Sequence, residues 1–300
     1  MSLRAYVAPI PATLSRGIHR VAEALARYAP PDVEIVADLP DADLVLCHVI
    51  GPEGWPDYLS AFRRHGQRYA VFQYCLRTTT WPYVAPWRDF WREAAVVASY
   101  YDLATTWRVE QPGWTSRPNF LRTPLGVDTT VFKPHPQVAG IITPYLVGTS
   151  GYVAGPECVW EWAEVCRRHH KAQFHLGPHL PELSPHARTA HGIDDGALAV
   201  YLSACKFVSG LRRGEGFELP AYEGLACGAR PVMFAREDAE HWLGDSAEYI
   251  QEGSFDDVVA QLEALVQREY RPVTADEIAW VGREFSWQRM AERFWSAVPR

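Results

Sequence analysis

The chain has 300 residues, 48% of them hydrophobic and 22% charged, and a formal net charge of −7 at pH 7. This is ordinary globular composition, which excludes disorder as the main state, and the acidic balance argues against a globally basic nucleic-acid binder. No apolar run approaches the ~18–20 residues that span a bilayer, and the N-terminus lacks the apolar core of a secretory signal, so the chain reads as soluble and cytoplasmic.

A typical ~150 residues per domain predicts about two domains. In chain order, residues 3–8 read as a strand and 17–28 as a helix with Ile18, Val21, Leu25 and Tyr28 on one face. Residues 43–49 (DLVLCHV) read as a strand, 58–65 as a helix, 69–74 as a strand, 87–93 as a helix and 94–99 (AAVVAS) as a buried strand. Prolines and lost periodicity make 133–140 (KPHPQVAG) a linker. The alternation then restarts, with strands at 145–148, 173–177, 206–209 and 230–234. Helices are expected at 156–169, 196–204, 219–227 and 255–267, and a last one follows Ser286 in capping position. Such alternation implies a parallel sheet with helices on both faces, here twice over. Ligands of such sheets sit at the carboxyl ends of the strands, and with two domains the cleft between them is the expected site.

Six cysteines, at 47, 75, 158, 166, 205 and 227, form no CxxC pair and read as reduced, mostly buried thiols. His175, His179, His186 and His191 lack ligand spacing with nearby cysteines, so no metal site is expected. His19 and His48 read either as ligand contacts or as ordinary half-buried histidines. Between 58 and 122, nine arginines face four acids, and six of the twelve tryptophans lie between Trp55 and Trp114. That segment is either core packing with a solvated face or a groove for an anionic or planar acceptor, since arginine neutralises phosphate and tryptophan stacks on sugars and bases.

The informative segment is 215–232, EGFELPAYEGLACGARPV, which follows the strand CKFVSG and a short loop. Pro220 suits the first turn of a helix. The backbone N–H groups of Phe217, Glu218 and Leu219 would then point out of a helix N-terminus, which binds phosphate or sugar oxygens. Glu223 lies one helical turn further in and can face the same ligand, where a carboxylate accepts hydrogen bonds from a vicinal diol such as a ribose.

This frame, two acids in EGFxLPxxExxxCGxxPV, resembles the donor-site signature of group-1, family-4-like retaining glycosyltransferases. Three further segments agree in content and order: LGVDTTVFKP at 125–134, DGALAVYLSACKFVS at 195–209, and FSW at 285–287. More weakly, 15–25 resembles the family's glycine loop and first helix. The resemblance implies the GT-B fold: two Rossmann-like domains whose parallel sheets face across a cleft, with a C-terminal helix returning toward the N-terminal domain. The implied domains are 1–136, binding the acceptor, 137–285, binding the nucleotide sugar, and a crossover helix at 286–300.

The resemblance also implies roles. Glu215 would contact the transferred sugar near the reacting carbon, and Glu223 would bind the ribose. The backbone of Phe217, Glu218 and Leu219 would hold sugar hydroxyls or the diphosphate, and Gly17 would let the backbone approach the phosphates. No metal and no cofactor is implied beyond the nucleotide sugar as substrate; attack comes from the leaving-group face, and the departing phosphate helps deprotonate the acceptor. The chain departs from the family where an arginine and a lysine usually neutralise the diphosphate: VGTSGYVAGPE places Thr149 and Ser150 there. Arg212 and Arg213 are the candidates for that work, with Arg16 and Arg20 secondary. The family's acceptor-domain histidine is replaced by Gln73 or Tyr74, with Arg77 nearby as a third acceptor contact.

The expected function is transfer of a sugar from a nucleotide sugar to an acceptor hydroxyl. The acceptor would be a glycan, lipid, protein or modified DNA base. The alternatives are an epimerase or phosphorylase of the same fold, or a non-catalytic sugar-binding relative that has lost turnover.

Overall fold

The computed structural model describes residues 2–10, 16–49, 66–74, 90–110, 118–135, 145–151, 157–180, 183, 187–213 and 217–300. The helix expected at 58–65 lies outside them. The chain forms two compact units. Unit 1 comprises Met1–Gly126 and Trp287–Arg300, and unit 2 comprises Val127–Ser286.

Unit 1 holds a six-stranded sheet: β1 (Leu3–Val7), β2 (Val33–Ile35), β3 (Leu44–Val49), β4 (Arg68–Gln73), β5 (Val97–Ser99) and β6 (Phe120–Arg122). Every pairing is parallel and the order is β2-β1-β3-β4-β5-β6. The near-continuous apolar runs of β3 and β4 follow from burial on both faces. Helix α1 (Arg16–Arg27) follows β1, and α2 (Leu103–Glu110) lies between β5 and β6.

Unit 2 repeats the scheme with β7 (Tyr145–Ser150), β8 (Gln173–Leu176), β9 (Ala187–Ala190), β10 (Cys205–Gly210), β11 (Arg230–Phe234) and β12 (Glu248–Ile250). The order is β12-β11-β10-β7-β8-β9, again all parallel. Its helices are α3 (Val159–Arg168), α4 (Asp195–Ser203), α5 (Leu219–Ala226), α6 (Glu237–Leu243), α7 (Phe255–Gln267) and α8 (Ala275–Glu284). Trp162, Val165, Phe207, Val258 and Leu262 centre the core of this unit.

The last helix, α9 (Trp287–Ala297), belongs to unit 1. Trp295 is buried there and its indole N–H donates to the Leu25 carbonyl at 2.9 Å. Arg68 donates to the Pro299 carbonyl at 2.7 Å, and Asn119 to that of Ala297 at 3.1 Å. These bonds fasten the C-terminal segment to the sheet side of the first unit.

The structure adds elements to those expected from the sequence: β2, β6, β9, β12, α2, α6 and α8. The four strands are three or four residues long and lie at or near sheet edges, where one-sided burial leaves no apolar run to detect. Both sheets reverse direction of strand addition once, between β1 and β3 and between β7 and β10. Those reversals open crevices at the carboxyl ends of the two strands, the positions where open α/β sheets take ligands.

Candidate functional site

In unit 2 the switch point is bounded by the end of β7 (Thr149, Ser150, then Gly151) and the end of β10 (Gly210, then Leu211–Arg213). Helix α5 lies over β10 and β11 because Gly224 has no side chain. A Cβ there would stand 2.4 Å from Val208 Cγ1. The helix therefore presents its N-terminus, Glu218–Leu219 with Pro220 in the first turn, at the carboxyl edge of the sheet. Phe217 stacks on Tyr222 with centroids 4.0 Å apart and planes 8° apart, fixing the chain as it enters the helix. Glu223 sits on α5 and is 4% exposed. Glu215 and Arg77 lie outside the described residues.

The two arginines before this loop part company. Arg213 turns inward: it donates to Glu161 at 3.0 Å, to Cys158 Sγ at 2.9 Å and to the Gly253 carbonyl at 3.0 Å. Arg212 stays at the crevice, 3.4 Å from the buried Glu157 carboxylate and 3.8 Å from Glu218. Glu157 in turn fills the place of a side chain on Gly151; a Cβ there would lie 1.8 Å from its Oε2. Where the sequence led us to seek cations after β7, the fold places a buried acid answered by Arg212. The sequence offered no signal for Glu157, because its partner is 55 positions away.

Thr149 is 2% exposed, and its hydroxyl faces inward. Gln173 donates to it at 2.8 Å, and His175 Nδ1 lies 3.1 Å from it. Burial holds the His175 imidazole down to about 4, so the ring is neutral. Ser150 is the half-buried residue at the strand's end.

In unit 1 Gly17 lies in the first turn of α1, directly after β1. Gln73 is fully buried; its Oε1 accepts from Trp91 at 3.1 Å and its carbonyl from Ser99 at 2.9 Å. The Tyr74 carbonyl accepts a short bond from the Tyr100 hydroxyl, and the Tyr74 phenol meets His48 Nδ1 at 2.8 Å. Burial lowers the His48 imidazole to about 3 and raises the Tyr74 phenol well above its ordinary value. Each unit thus carries one neutral histidine near the carboxyl end of a strand flanking β4 or β7, with Nδ1 against a hydroxyl and Nε2 lacking a hydrogen-bond partner among the described residues.

The strand orders, all-parallel sheets and returning C-terminal helix define the class: an α/β protein of the two-Rossmann, GT-B type. Solved structures match it along its whole length. Sucrose-phosphate synthase from Thermosynechococcus elongatus aligns at a TM-score of 0.73 and 11% identity, over 98% of this chain and 97% of that one. HepE of Anabaena, in complex with UDP, aligns at 0.72 and 11%, over 98% of each chain. AviGT4, a glycosyltransferase involved in avilamycin A biosynthesis, aligns at 0.59 and 13%, over 99% and 97%. No family model and no curated protein sequence matches the chain. At these identities the likeness establishes the fold.

Proposed function

We propose that this chain is a retaining, metal-independent glycosyltransferase that moves a sugar from a nucleotide sugar to an acceptor hydroxyl. The observation that carries the reading is the N-terminus of α5 at the switch point of unit 2, with the buried Glu223 on that helix, within a fold shared over the full length with glycosyltransferases. HepE, one of these, is described in complex with UDP and with UDP-glucose. Unit 2 takes the nucleotide sugar. Glu223 accepts hydrogen bonds from the ribose, and the N-terminus of α5 at Phe217, Glu218 and Leu219 holds sugar or phosphate oxygens. Glu215 faces the transferred sugar. Arg212 compensates the leaving diphosphate, and Arg213 is a structural cation. Ser150 and Gly151 approach the phosphates through their backbone, while Thr149 supports them from below.

Unit 1 takes the acceptor at the ends of β3 and β4, beside Tyr74. An anionic or polymeric acceptor suits the arginine- and tryptophan-rich segment, part of which lies outside the described residues. No described helix is long and apolar enough to cross a membrane. The five described cysteines are unpaired, which supports a reducing compartment such as the cytoplasm.

Calorimetric titration with UDP, GDP, ADP, TDP and CMP, then with their sugar conjugates, tests the reading. Micromolar binding of one base, tightened or retained with its sugar conjugate, is expected. No heat from any nucleotide would remove the donor site and with it the proposed activity.

A further inference from the structure

His48 is the penultimate residue of β3, the strand that flanks the switch point of unit 1 with β1, and is paired in register with Phe72, followed by Val49 opposite Gln73. Its ring stacks near that of Tyr74, centroids 5.9 Å apart at 19°. The Tyr74 phenol has His48 Nδ1, 2.8 Å away, as its hydrogen-bond partner and no other among the described residues. With Nδ1 protonated, the phenol would only accept, and both its own proton and Nε2 would lack a partner; with Nε2 protonated, the phenol donates to Nδ1 and a single group is left over. The ring's proton is therefore assigned to Nε2. Nε2 is shielded from water and has no hydrogen-bond partner among the described residues. The residue as a whole is only half-buried. A buried donor left unpaired costs free energy in the empty protein, which a ligand oxygen would return.

We propose that His48 is a neutral, pre-oriented hydrogen-bond donor for a carbohydrate hydroxyl bound at the carboxyl edge of the first sheet, with Tyr74 as the residue that holds its tautomer. The inference rests on the reading of unit 1 as the acceptor-binding half. An uncharged oxygen is the fitting partner, because burial beside Phe72 and Tyr74 keeps the imidazole neutral. His175 in unit 2 has a similar unpaired Nε2 but is wholly buried, and its Thr149 partner can either donate or accept, so its tautomer is not determined in the same way.

The test uses the full chain with isotope-labelled histidine nitrogens. In the free protein the His48 signals should show Nε2 protonated and Nδ1 bare. Titration with methyl glucoside, methyl mannoside and methyl N-acetylglucosaminide should move the Nε2 signal with at least one of them. His48→Gln, whose amide nitrogen reaches the Nε2 position, should keep that affinity. His48→Asn, which keeps only the contact to Tyr74, should weaken it by about 3- to 10-fold. A merely structural role predicts the reverse order of the two variants. A free protein protonated on Nδ1, an unmoved Nε2 with all three glycosides, or equal affinity of wild type and His48→Asn each overturns the proposal. Nucleotide binding alongside any of those results leaves the donor reading standing. A glycoside shift at Nε2 without any nucleotide binding overturns that reading alone.

Discussion

Adjacent residues can have unrelated work, and Arg212 and Arg213 show it. Arg213 is committed to the Glu161 carboxylate, which is 4% exposed at its side chain. Removing the cation leaves that acid buried and unanswered, so Arg213→Ala should cost about 3 kcal/mol of stability in urea unfolding. Arg212→Ala uncovers the buried Glu157 carboxylate and should also cost stability, and it should weaken the nucleoside diphosphate about 10-fold or more relative to the nucleoside. Equal losses for both ligands would remove Arg212 from the phosphate site. Glu215→Ala should lower transfer by at least about 100-fold in a protein that still unfolds cooperatively, while Glu223→Ala should act mainly on nucleotide affinity. Near-normal turnover of the first variant, or unchanged affinity of the second, would reassign that acid. Helix periodicity puts Glu223 on α5, and the structure has it there as the fifth of eight residues. The split between the arginines could not be read from the sequence, because Glu161 and Glu157 reach them from the neighbouring strand-helix unit, 52 and 55 positions away.

At the scale of elements, α5 is set by contact with the sheet. Glycine in a helix interior is a poor former, and alanine would gain up to about 1 kcal/mol at Gly224 from propensity alone. The contact decides otherwise: a Cβ there meets Val208 Cγ1 at 2.4 Å and Val208 Cβ at 2.7 Å. Overpacking of this kind costs about 1–3 kcal/mol, so Gly224→Ala should destabilise and also weaken ligand binding by lifting Glu223. Combining it with Val208→Ala should lose less than the sum of the two single changes; strict additivity would show that the two sites do not touch. Local signals account for much of the secondary structure. The apolar runs of β3, β4, β10 and β11 mark themselves. Helix α8 starts on a Thr274–Glu277 capping box, a signal that TADEI carries in the sequence itself. The short strand β2 has one buried residue in three, so its place in the sheet comes from pairing with β1, which sequence periodicity does not encode.

For the whole molecule, strand-helix alternation was enough to foresee two parallel sheets, but the strand orders were not, since reversals at β1/β3 and β7/β10 are properties of the assembled sheet. The buried polar groups behind the candidate site escaped for the same reason: Thr149, Gln173 and His175 meet only when β7 and β8 are in register. Their burial gives the molecule a specific response to acid. The unfolded chain protonates a histidine near 6.5, whereas burial holds folded His175 to about 4. As pH falls between those values the unfolded state binds more protons, so stability is lost; it is fully present above 6.5. Burial would raise Glu277, but hydrogen bonds from Arg230 and the Thr274 N–H, with the Arg230 charge, outweigh it and lower the group from 4.5 to about 2. Its contribution is therefore present above 4.5 and lost as pH falls toward 2. Stability should fall in two stages; in the first, from about pH 7 to about pH 5, His175 should contribute about 2 kcal/mol alongside His48, whose imidazole burial lowers to about 3. Urea unfolding of wild type and His175→Gln at those two pH values isolates the His175 share. The variant, having no imidazole to charge at that position, should lose less stability than wild type by about that amount. An identical loss in both proteins would mean that His175 is already accessible to protons in the folded state.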